Sequence, residues 1–301
     1  MSCNQCPRKC NIDRSVSTGY CGVGENFRVA RAALHFWEEP CISGENGSGT
    51  VFFSGCNLKC IYCQNEKISH SVNGKDITDK ELMNLFDKLI SSGAHNINLV
   101  TPTHYASRLI KVLKEYKSPV PVVYNTSGYE NTATIKMLEG LVDIYLTDLK
   151  YYDSARSMKY SGAENYFEVA SNAVLEMFAQ TGNITLDNNG VAEKGTLIRH
   201  LVLPGNVSQS IKILDWISEN ISNDIYISIM SQYVPCGIAK TIKPLDRKIT
   251  SREYKIVKEY ALKLGFKNCY FQNKSSGDEM YIPDFDMKNT CETEDACDLN
   301  I

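Results

Sequence analysis

The stretch Thr50-Val-Phe-Phe-Ser-Gly-Cys-Asn-Leu-Lys-Cys-Ile-Tyr-Cys63 decides the fold and places the chemistry. Its β-branched and aromatic start, Thr50 to Ser54, predicts a buried strand. Cys56, Cys60 and Cys63 follow at once in the spacing C-x3-C-x2-C. A structural zinc site or an ordinary iron–sulfur cluster takes four protein ligands, so three thiolates on a cluster leave one iron open to bind and activate a small molecule. The alternative is a zinc knuckle that takes a distant fourth ligand.

The remaining chain alternates short apolar runs with amphipathic segments, which is typical of βα units around a parallel sheet. Six strands are predicted, at Thr50–Ser54, Asn96–Val100, Val120–Tyr124, Val142–Thr147, Thr196–Leu203 and Ile225–Met230. Capping boxes at Thr78 and Thr250 predict helix starts. Six units indicate an α/β fold with an open, partial (β/α)6 TIM-like barrel, and a doubly wound sheet is the competing architecture. In such sheets the chemistry gathers at the carboxyl ends of the strands.

Composition excludes several classes of protein. The 301 residues are 43% apolar, with 32 basic and 35 acidic side chains and a net charge of -3. Because this charge gives no basic excess, we expect no nucleic-acid partner. The polar start MSCNQCPRKC is unlike a signal peptide, and no apolar run reaches the about 18–20 residues of a membrane span. We therefore expect a cytoplasmic monomer without membrane contact, in which clustered cysteines bind metal.

The 12 cysteines divide the chain into three parts. We expect residues 1–48 to form a Cys-rich N-terminal extension, residues 49–282 to form the barrel, and residues 283–301 to form an acidic, flexible tail. Cys291 and Cys297 in that tail are interpreted as incidental. Isolated cysteines elsewhere are expected to pack as small apolar side chains.

A second cysteine group lies in the N-terminal extension. Cys3, Cys6, Cys10 and Cys21 supply four thiolates within 21 residues. Four ligands predict a closed metal centre, either zinc or a second iron–sulfur cluster, that serves structure or electron relay. The spacing alone does not choose between these metals.

Taken together, these motifs resemble the radical S-adenosylmethionine (SAM) superfamily, whose hallmark is C-x3-C-x-aromatic-C at the mouth of a partial barrel. Tyr62 supplies the aromatic residue. The chain is similar in particular to the pyruvate formate-lyase activating enzymes and their uncharacterised related branch. The segments that carry this resemblance are Glu38–Gly44 (EEPCISG), Gly47–Gly49 (GSG), Phe52–Cys56 (FFSGC), Cys63–Asn65 (CQN), Val100–His104 (VTPTH), Asp143–Lys150 (DIYLTDLK), Arg199–Gly205 (RHLVLPG) and Met230–Tyr233 (MSQY).

The resemblance implies a 4Fe-4S cluster on Cys56, Cys60 and Cys63, with SAM bound to the fourth iron through its amino and carboxylate groups. Reduction would cleave SAM to methionine and a 5'-deoxyadenosyl radical. That radical would abstract hydrogen from a protein or peptide, such as the glycine of a glycyl radical enzyme. The resemblance also implies anaerobic chemistry and a flavodoxin- or ferredoxin-type electron donor. The competing hypothesis is a non-catalytic zinc or iron–sulfur protein, such as an electron carrier, which has no use for an open iron.

Three further residues match the activating enzymes. Asp148 and Lys150 correspond to an Asp-x-Lys motif that helps hold the SAM carboxylate and a monovalent cation. Arg199 corresponds to an arginine that can pair with the same carboxylate, a task that suits its planar guanidinium. The alternative interpretation is a structural ion-pair cluster inside the barrel.

Two segments depart from the activating enzymes. The Gly-Gly-Glu that contacts the SAM amino group reads Thr101-Pro-Thr103 here, so hydroxyl or backbone oxygens must replace the carboxylate. The Asp-Thr-Asn-Gly turn reads Asn125-Thr-Ser127-Gly, and an amide in place of a carboxylate weakens a cation site. A histidine on the last strand is replaced by Tyr233. SAM binding is still expected, whereas the substrate is not specified by these residues.

Overall fold

Ten strands pair into one sheet within residues 2–272, the part of the chain that the computed structural model describes. The strands are β1 (Phe27–His35), β2 (Ser48–Phe53), β3 (Lys75–Ile77), β4 (Ile97–Val100), β5 (Val122–Thr126), β6 (Ile144–Asp148), β7 (Thr185–Leu186), β8 (Ala192–Leu201), β9 (Tyr226–Met230) and β10 (Asn268–Phe271). Their spatial order is β10-β9-β8-β6-β5-β4-β2-β1-β3, and β7 pairs with β8.

Seven strands are parallel and follow one another across the sheet in sequence order: β2, β4, β5, β6, β8, β9 and β10. A doubly wound sheet would reverse that order part-way, so the observed order favours the barrel-type winding. The two ends of the path, β3 and β10, do not pair, and the sheet is open. The predicted α/β partial barrel is therefore confirmed, with β10 as an additional parallel strand.

Helices pack around the parallel strands, and the longer ones cover their outer face. They are α1 (Pro40–Ser43), α2 (Glu66–Ser69), α3 (Asp79–Ser91), α4 (Ala106–Tyr116), α5 (Thr132–Lys136), α6 (Ser154–Ser161), α7 (Tyr166–Thr181), α8 (Val207–Asn220) and α9 (Ser251–Leu264). Both predicted capping boxes are present, at Thr78 for α3 and at Thr250 for α9. No helix of the described residues is long and apolar enough to cross a membrane.

Alternation along the strands sends apolar side chains outward and several polar ones inward. Leu99, Tyr124 and Tyr145 join the helices in the outer core. The inner face carries a polar side chain on successive strands, at Asn98, Asn125, Asp148, Arg199 and Ser228, all buried or nearly so. These inward positions create a polar region of the interior, next to an apolar cluster that contains Val123, Leu146 and Leu197.

Strand β1 lies inside the segment that the sequence analysis assigns to the N-terminal extension. It pairs antiparallel with β2 and with β3, so residues 27–35 share the sheet of the barrel. The division at residues 48 and 49 stays a prediction. The predicted tail, residues 283–301 with Cys291 and Cys297, lies outside the described residues.

Replacing Thr78 with Ala should destabilise the fold. Thr78 Oγ1 accepts the Glu81 backbone N–H at 3.2 Å, and the loss of such an N-cap costs about 0.5–2 kcal/mol. We expect a lower denaturant midpoint in urea unfolding followed by circular dichroism. The exposed Lys80→Ala in the same helical turn is the control, expected within about 0.5 kcal/mol of wild type. Equal midpoints for Thr78→Ala and wild type would contradict the capping role.

Candidate metal centre

Cys56, Cys60 and Cys63 lie in the loop that follows β2, at the carboxyl edge of the parallel sheet. Gly55 sets the direction of this loop with a φ of +85°. A Cβ atom on Gly55 would stand 2.8 Å from the backbone oxygen of Cys21, so only glycine fits there. The glycine therefore lets the N-terminal segment pack directly on the loop, here called the cysteine loop (residues 55–63).

Each thiol of the cysteine loop accepts one hydrogen bond. The Leu58 backbone N–H donates to Cys56 Sγ at 3.3 Å. The Ser161 hydroxyl donates to Cys60 Sγ at 3.0 Å, and the Ser69 hydroxyl donates to Cys63 Sγ at 3.3 Å. Donors at all three sulfurs favour the thiolate form, the form that binds metal.

Burial acts in the opposite direction on Cys56 and Cys63. It raises the pKa of Cys56, and it raises the pKa of Cys63 to about 12, with nearby Cys60 adding to both effects. Lys150 lowers the pKa of Cys56. Three thiolates, two buried and one half-buried, therefore need more positive charge than the protein supplies, and the irons of a cluster would supply it. The donor set and the charge balance both fit a cluster.

Arg199 organises a buried ion cluster beside the cysteine loop. Its Nε lies 2.9 Å from Asp148 Oδ1, and its Nη1 lies 3.1 Å from Glu38 Oε2. Its Nη2 donates to Asn125 Oδ1 at 2.7 Å. Lys150 Nζ completes the group, 2.5 Å from Asp148 Oδ2. The cluster thus joins the strands β5, β6 and β8 to the segment after β1.

The carboxylates of this cluster differ in their ionisation. Burial alone would raise the pKa of Asp148, but Arg199 and Lys150 outweigh it, and the pKa is lowered. Burial raises the pKa of Glu38, and it raises the pKa of Glu39 to about 7, because Arg199 only partly offsets it. Asp148 therefore keeps its charge to lower pH than an ordinary aspartate, whereas Glu39 is partly protonated near neutral pH.

The structure brings together four of the seven residues predicted to contact SAM: Asn125, Asp148, Lys150 and Arg199. Thr101 joins them only through its backbone, which donates to the Asn125 carbonyl at 2.8 Å. The other two predicted residues, Thr103 and Ser127, have different surroundings.

Thr103 and Ser127 do not contact the ion cluster through any hydrogen bond of the described structure. The Thr103 hydroxyl donates instead to Glu130 Oε1 at 2.5 Å. Ser127 Oγ is buried without a hydrogen-bond partner, and the Ser127 carbonyl accepts from the Tyr166 hydroxyl at 2.7 Å. The hydroxyl of Thr103 is therefore committed elsewhere, and Thr101 is the more accessible threonine of the pair.

Three glutamates that are buried or nearly so have no role assigned from the sequence. Glu38 and Glu39 contact Arg199, and Glu130 accepts the hydroxyls of Thr103 and Thr126. The sequence signal for Glu38 and Glu39 is that they form an acidic pair just before Pro40. This pair lies in a segment that was noted only for its resemblance to the activating enzymes. Glu130 has no comparable signal, because its burial depends on packing between distant loops.

The N-terminal cysteines lie against the cysteine loop. The Cys56 backbone N–H donates to the Cys21 carbonyl at 3.4 Å. Cys6 and Cys21 are buried, whereas Cys3 and Cys10 are half-buried. Among the described residues, no three or more His, Cys, Asp or Glu side chains are grouped closely enough to hold a single metal ion.

Two histidines near the site are held in hydrogen bonds. His104 Nε2 lies 2.8 Å from the Ser54 carbonyl. His200 Nδ1 lies 2.6 Å from the Leu149 carbonyl, and its Nε2 lies 2.8 Å from Ser210 Oγ. Burial lowers the pKa of His104 to about 3 and that of His200 to about 4, so both are neutral near pH 7. Their geometry agrees with a structural role.

Comparison with known proteins finds two matches that agree with the cysteine motif. Residues 42–167 match a family described as a 4Fe-4S single cluster domain. The cysteines within that range are Cys56, Cys60 and Cys63. A pyruvate formate-lyase-activating enzyme of Clostridium pasteurianum is 27% identical over 224 residues, which cover 70% of this chain and 86% of that protein. These two matches support membership of the radical SAM superfamily. The family match also supports a 4Fe-4S cluster as a cofactor.

Other matches extend the comparison. An uncharacterised protein of Methanocaldococcus jannaschii is 29% identical over 279 residues, or 89% of this chain and 77% of that protein. The Streptococcus suis protein SuiB bound to S-adenosylmethionine matches with a TM-score of 0.46 and 14% identity, over 72% of this chain and 48% of SuiB. SuiB bound to its precursor peptide SuiA matches with a TM-score of 0.48 and 15% identity, over 72% and 46%. The chain thus spans about half the length of these solved structures.

Glu130 should make stability depend on pH. Burial raises its pKa to about 7 from an ordinary 4.5, so between these values the folded chain holds a proton that the unfolded chain releases. The contribution of Glu130 to the free energy of unfolding therefore falls as pH rises through this window. Glu130→Gln should gain stability relative to wild type with rising pH, by at most about 1.4 kcal/mol per pH unit.

Urea unfolding of both proteins at several pH values across the window measures this difference. The two proteins have to be compared because the histidines with lowered pKa values act in the opposite direction to Glu130. Their contribution makes the free energy of unfolding rise with pH in both proteins. Glu219→Gln, on the exposed face of α8, is the control for a charge change without burial. A stability difference that does not vary with pH would contradict a protonated Glu130.

Proposed function

We propose that Cys56, Cys60 and Cys63 hold the 4Fe-4S cluster of this radical SAM enzyme and that SAM occupies its fourth iron. The observation that carries the proposal is the juxtaposition of three hydrogen-bonded thiols with the charged Asp148–Lys150–Arg199 group. The two are linked where the Tyr62 hydroxyl of the cysteine loop contacts the hydroxyl of Tyr151, the neighbour of Lys150. When bound and reduced, the cluster would supply one electron for the cleavage of SAM to methionine and a 5'-deoxyadenosyl radical, and this radical would abstract hydrogen from the substrate.

Lys150 and Arg199 have different tasks in this proposal. Three nitrogens of Arg199 already donate to Asp148, Glu38 and Asn125. Arg199 is therefore mainly a positioning residue that fixes these side chains. Lys150 Nζ contacts Asp148 and has further donors for the SAM carboxylate. Thr101 and nearby backbone oxygens are proposed to accept from the SAM amino group.

Buried tyrosines protect the proposed site from water. Tyr62 packs edge to face against Tyr151, Tyr160 and Tyr233, and Tyr166 packs against Tyr151. Such a wall limits competing hydrogen donors around a reactive radical. The aromatic residue of the cysteine motif thus contributes to the enclosure.

We propose a protein or peptide as the substrate, with an external flavodoxin- or ferredoxin-type protein as electron donor. The similarity to a pyruvate formate-lyase-activating enzyme supports a protein substrate, such as the glycine of a glycyl radical enzyme. The segment after β1 brings Glu38 and Glu39 into the interior from the end opposite the cysteine loop. A substrate is therefore expected to approach over the carboxyl edge of the sheet.

Cys60→Ala should abolish SAM cleavage. The wild-type protein, reconstituted anaerobically with iron and sulfide and then given dithionite and SAM, should yield 5'-deoxyadenosine by chromatography. Cys60→Ala should reduce the yield to background because a cluster ligand is lost, whereas Cys269→Ala, outside both cysteine groups, should retain it. The absence of product from wild type, or an undiminished yield from Cys60→Ala, would contradict the proposed function. It would favour the hypothesis of a non-catalytic metal-binding protein.

Ser161→Ala should make the cluster harder to reduce. The Ser161 hydroxyl donates to Cys60 Sγ and stabilises the more negative, reduced state. A net hydrogen bond of about 0.5–1.5 kcal/mol corresponds to a potential roughly 20–60 mV lower when it is removed. Redox titration monitored by electron paramagnetic resonance measures the change. Ser154→Ala, at the other end of α6, is the control, and equal potentials in all three proteins would contradict the assignment.

A further inference from the structure

The N-terminal segment, residues 2–22, has almost no apolar core of its own. Val16 is 83% exposed and Tyr20 is 41% exposed, whereas Cys6 and Cys21 are each 7% exposed. The segment contains one isolated bridge, between Ser2 and Asp13, and no helix or longer strand in its described part. Its most buried side chains are therefore thiols, and a segment of this kind usually needs a cross-link or a metal to hold its shape.

Tight turns shape the backbone between the cysteines of the segment. The Cys3 backbone N–H donates to the Ile12 carbonyl at 2.8 Å, and the Asn11 N–H donates back to the Cys3 carbonyl at 3.1 Å. The Lys9 N–H donates to the Cys6 carbonyl at 3.1 Å, and Lys9 and Asn11 both have a positive φ. Such turns fold the chain back between successive cysteines.

The second half of the segment closes over the same thiols. The Tyr20 N–H donates to Cys10 Sγ at 3.4 Å. A Cβ atom on Gly19 would stand 3.1 Å from Cys10 Sγ, so the absence of a side chain leaves room for the sulfur. These contacts place residues 19 and 20, which precede Cys21, directly against Cys10.

We propose that Cys3, Cys6, Cys10 and Cys21 bind a thiolate-ligated metal centre, one zinc ion or a second iron–sulfur cluster, which fastens the N-terminal segment as a clasp over the cysteine loop. In the described residues, no group of side chains is close enough to hold a single metal ion as it stands. The sulfurs of the four cysteines therefore have to move closer together when the metal binds. The clasp role rests on the proposed function because it takes the cysteine loop as the site of the catalytic cluster. The metal centre itself does not depend on that proposal.

Arg8, between two of the proposed ligands, links the clasp to the cysteine loop. Its Nε donates to the Asn57 carbonyl at 2.7 Å. Its Nη2 donates to the Ser161 carbonyl at 2.9 Å, and its Nη1 donates to the Gly162 carbonyl at 2.5 Å. One guanidinium thus connects the N-terminal segment, the cysteine loop and the end of α6.

Gln5 extends the clasp to two further loops at the carboxyl edge. Its Nε2 donates to the His104 carbonyl at 2.5 Å, and its Oε1 accepts the Ser107 N–H at 3.1 Å. Its carbonyl accepts the Thr134 hydroxyl at 2.8 Å. The segment therefore touches the loops after β2, β4 and β5, and an ordered clasp would restrain all three.

Metal analysis of a Cys56→Ala/Cys60→Ala/Cys63→Ala variant tests the centre without the catalytic cluster. After dialysis against chelator, elemental analysis should find stoichiometric zinc, or stoichiometric iron with sulfide, per chain. Adding Cys6→Ser and Cys21→Ser should remove it, whereas adding Cys269→Ala should not. A triple variant without metal after supply of zinc, or of iron and sulfide, would overturn the proposal, whether or not the wild type cleaves SAM.

Hydrogen exchange of the Arg8→Ala protein tests the clasp. Residues 55–63 should exchange faster than in wild type, and the catalytic iron should be lost faster to chelator. Arg252→Ala, on the exposed face of α9, should behave as wild type. Unchanged exchange and unchanged iron loss in Arg8→Ala would overturn the clasp. The triple variant keeps all N-terminal ligands, so its metal content decides the centre even where the Cys6/Cys21 variants do not fold.

Discussion

The arrangement of the site depends on one buried guanidinium, that of Arg199. It contacts Asp148 on β6, Asn125 on β5 and Glu38 in the segment after β1. The cluster has more carboxylates than cations, and breaking a buried pair by removing one partner typically costs about 3–5 kcal/mol. Arg199 thereby fixes the strands β5, β6 and β8 relative to one another. It also fixes the position of Asp148 and, through Asp148, that of Lys150.

The cysteine loop is subject to a second electrostatic constraint, because its mostly buried thiolates need both hydrogen-bond donors and positive charge. A chain of hydroxyl groups supplies one of these hydrogen-bond donors. Tyr62 and Tyr151 have their oxygens 2.7 Å apart, Tyr151 lies 2.7 Å from Ser161 Oγ, and Ser161 donates to Cys60. Tyr62, the aromatic residue of the motif, is thus connected to Cys60 of the same motif through the hydroxyl groups of Tyr151 and of Ser161 in α6.

The sequence predicts the six central parallel strands because each is a short, strongly apolar run between turn residues. It misses β1, whose sequence FRVARAALH is rich in alanine and arginine and forms a strand through pairing with β2 and β3. The cysteine motif and the Asp148–Lys150 pair are visible as local spacings. Glu130 is not, because its burial results from contacts between loops that are far apart in sequence.

The central claim is that three protein thiolates leave one iron of the cluster for SAM. Electron–nuclear double resonance on the anaerobically reduced protein tests it most directly, using SAM that is isotopically labelled at its amino nitrogen and carboxylate oxygens. The account predicts hyperfine coupling from both labelled groups and an altered cluster spectrum when SAM is added. A cluster spectrum that SAM does not change, with no coupling to either label, would contradict the account.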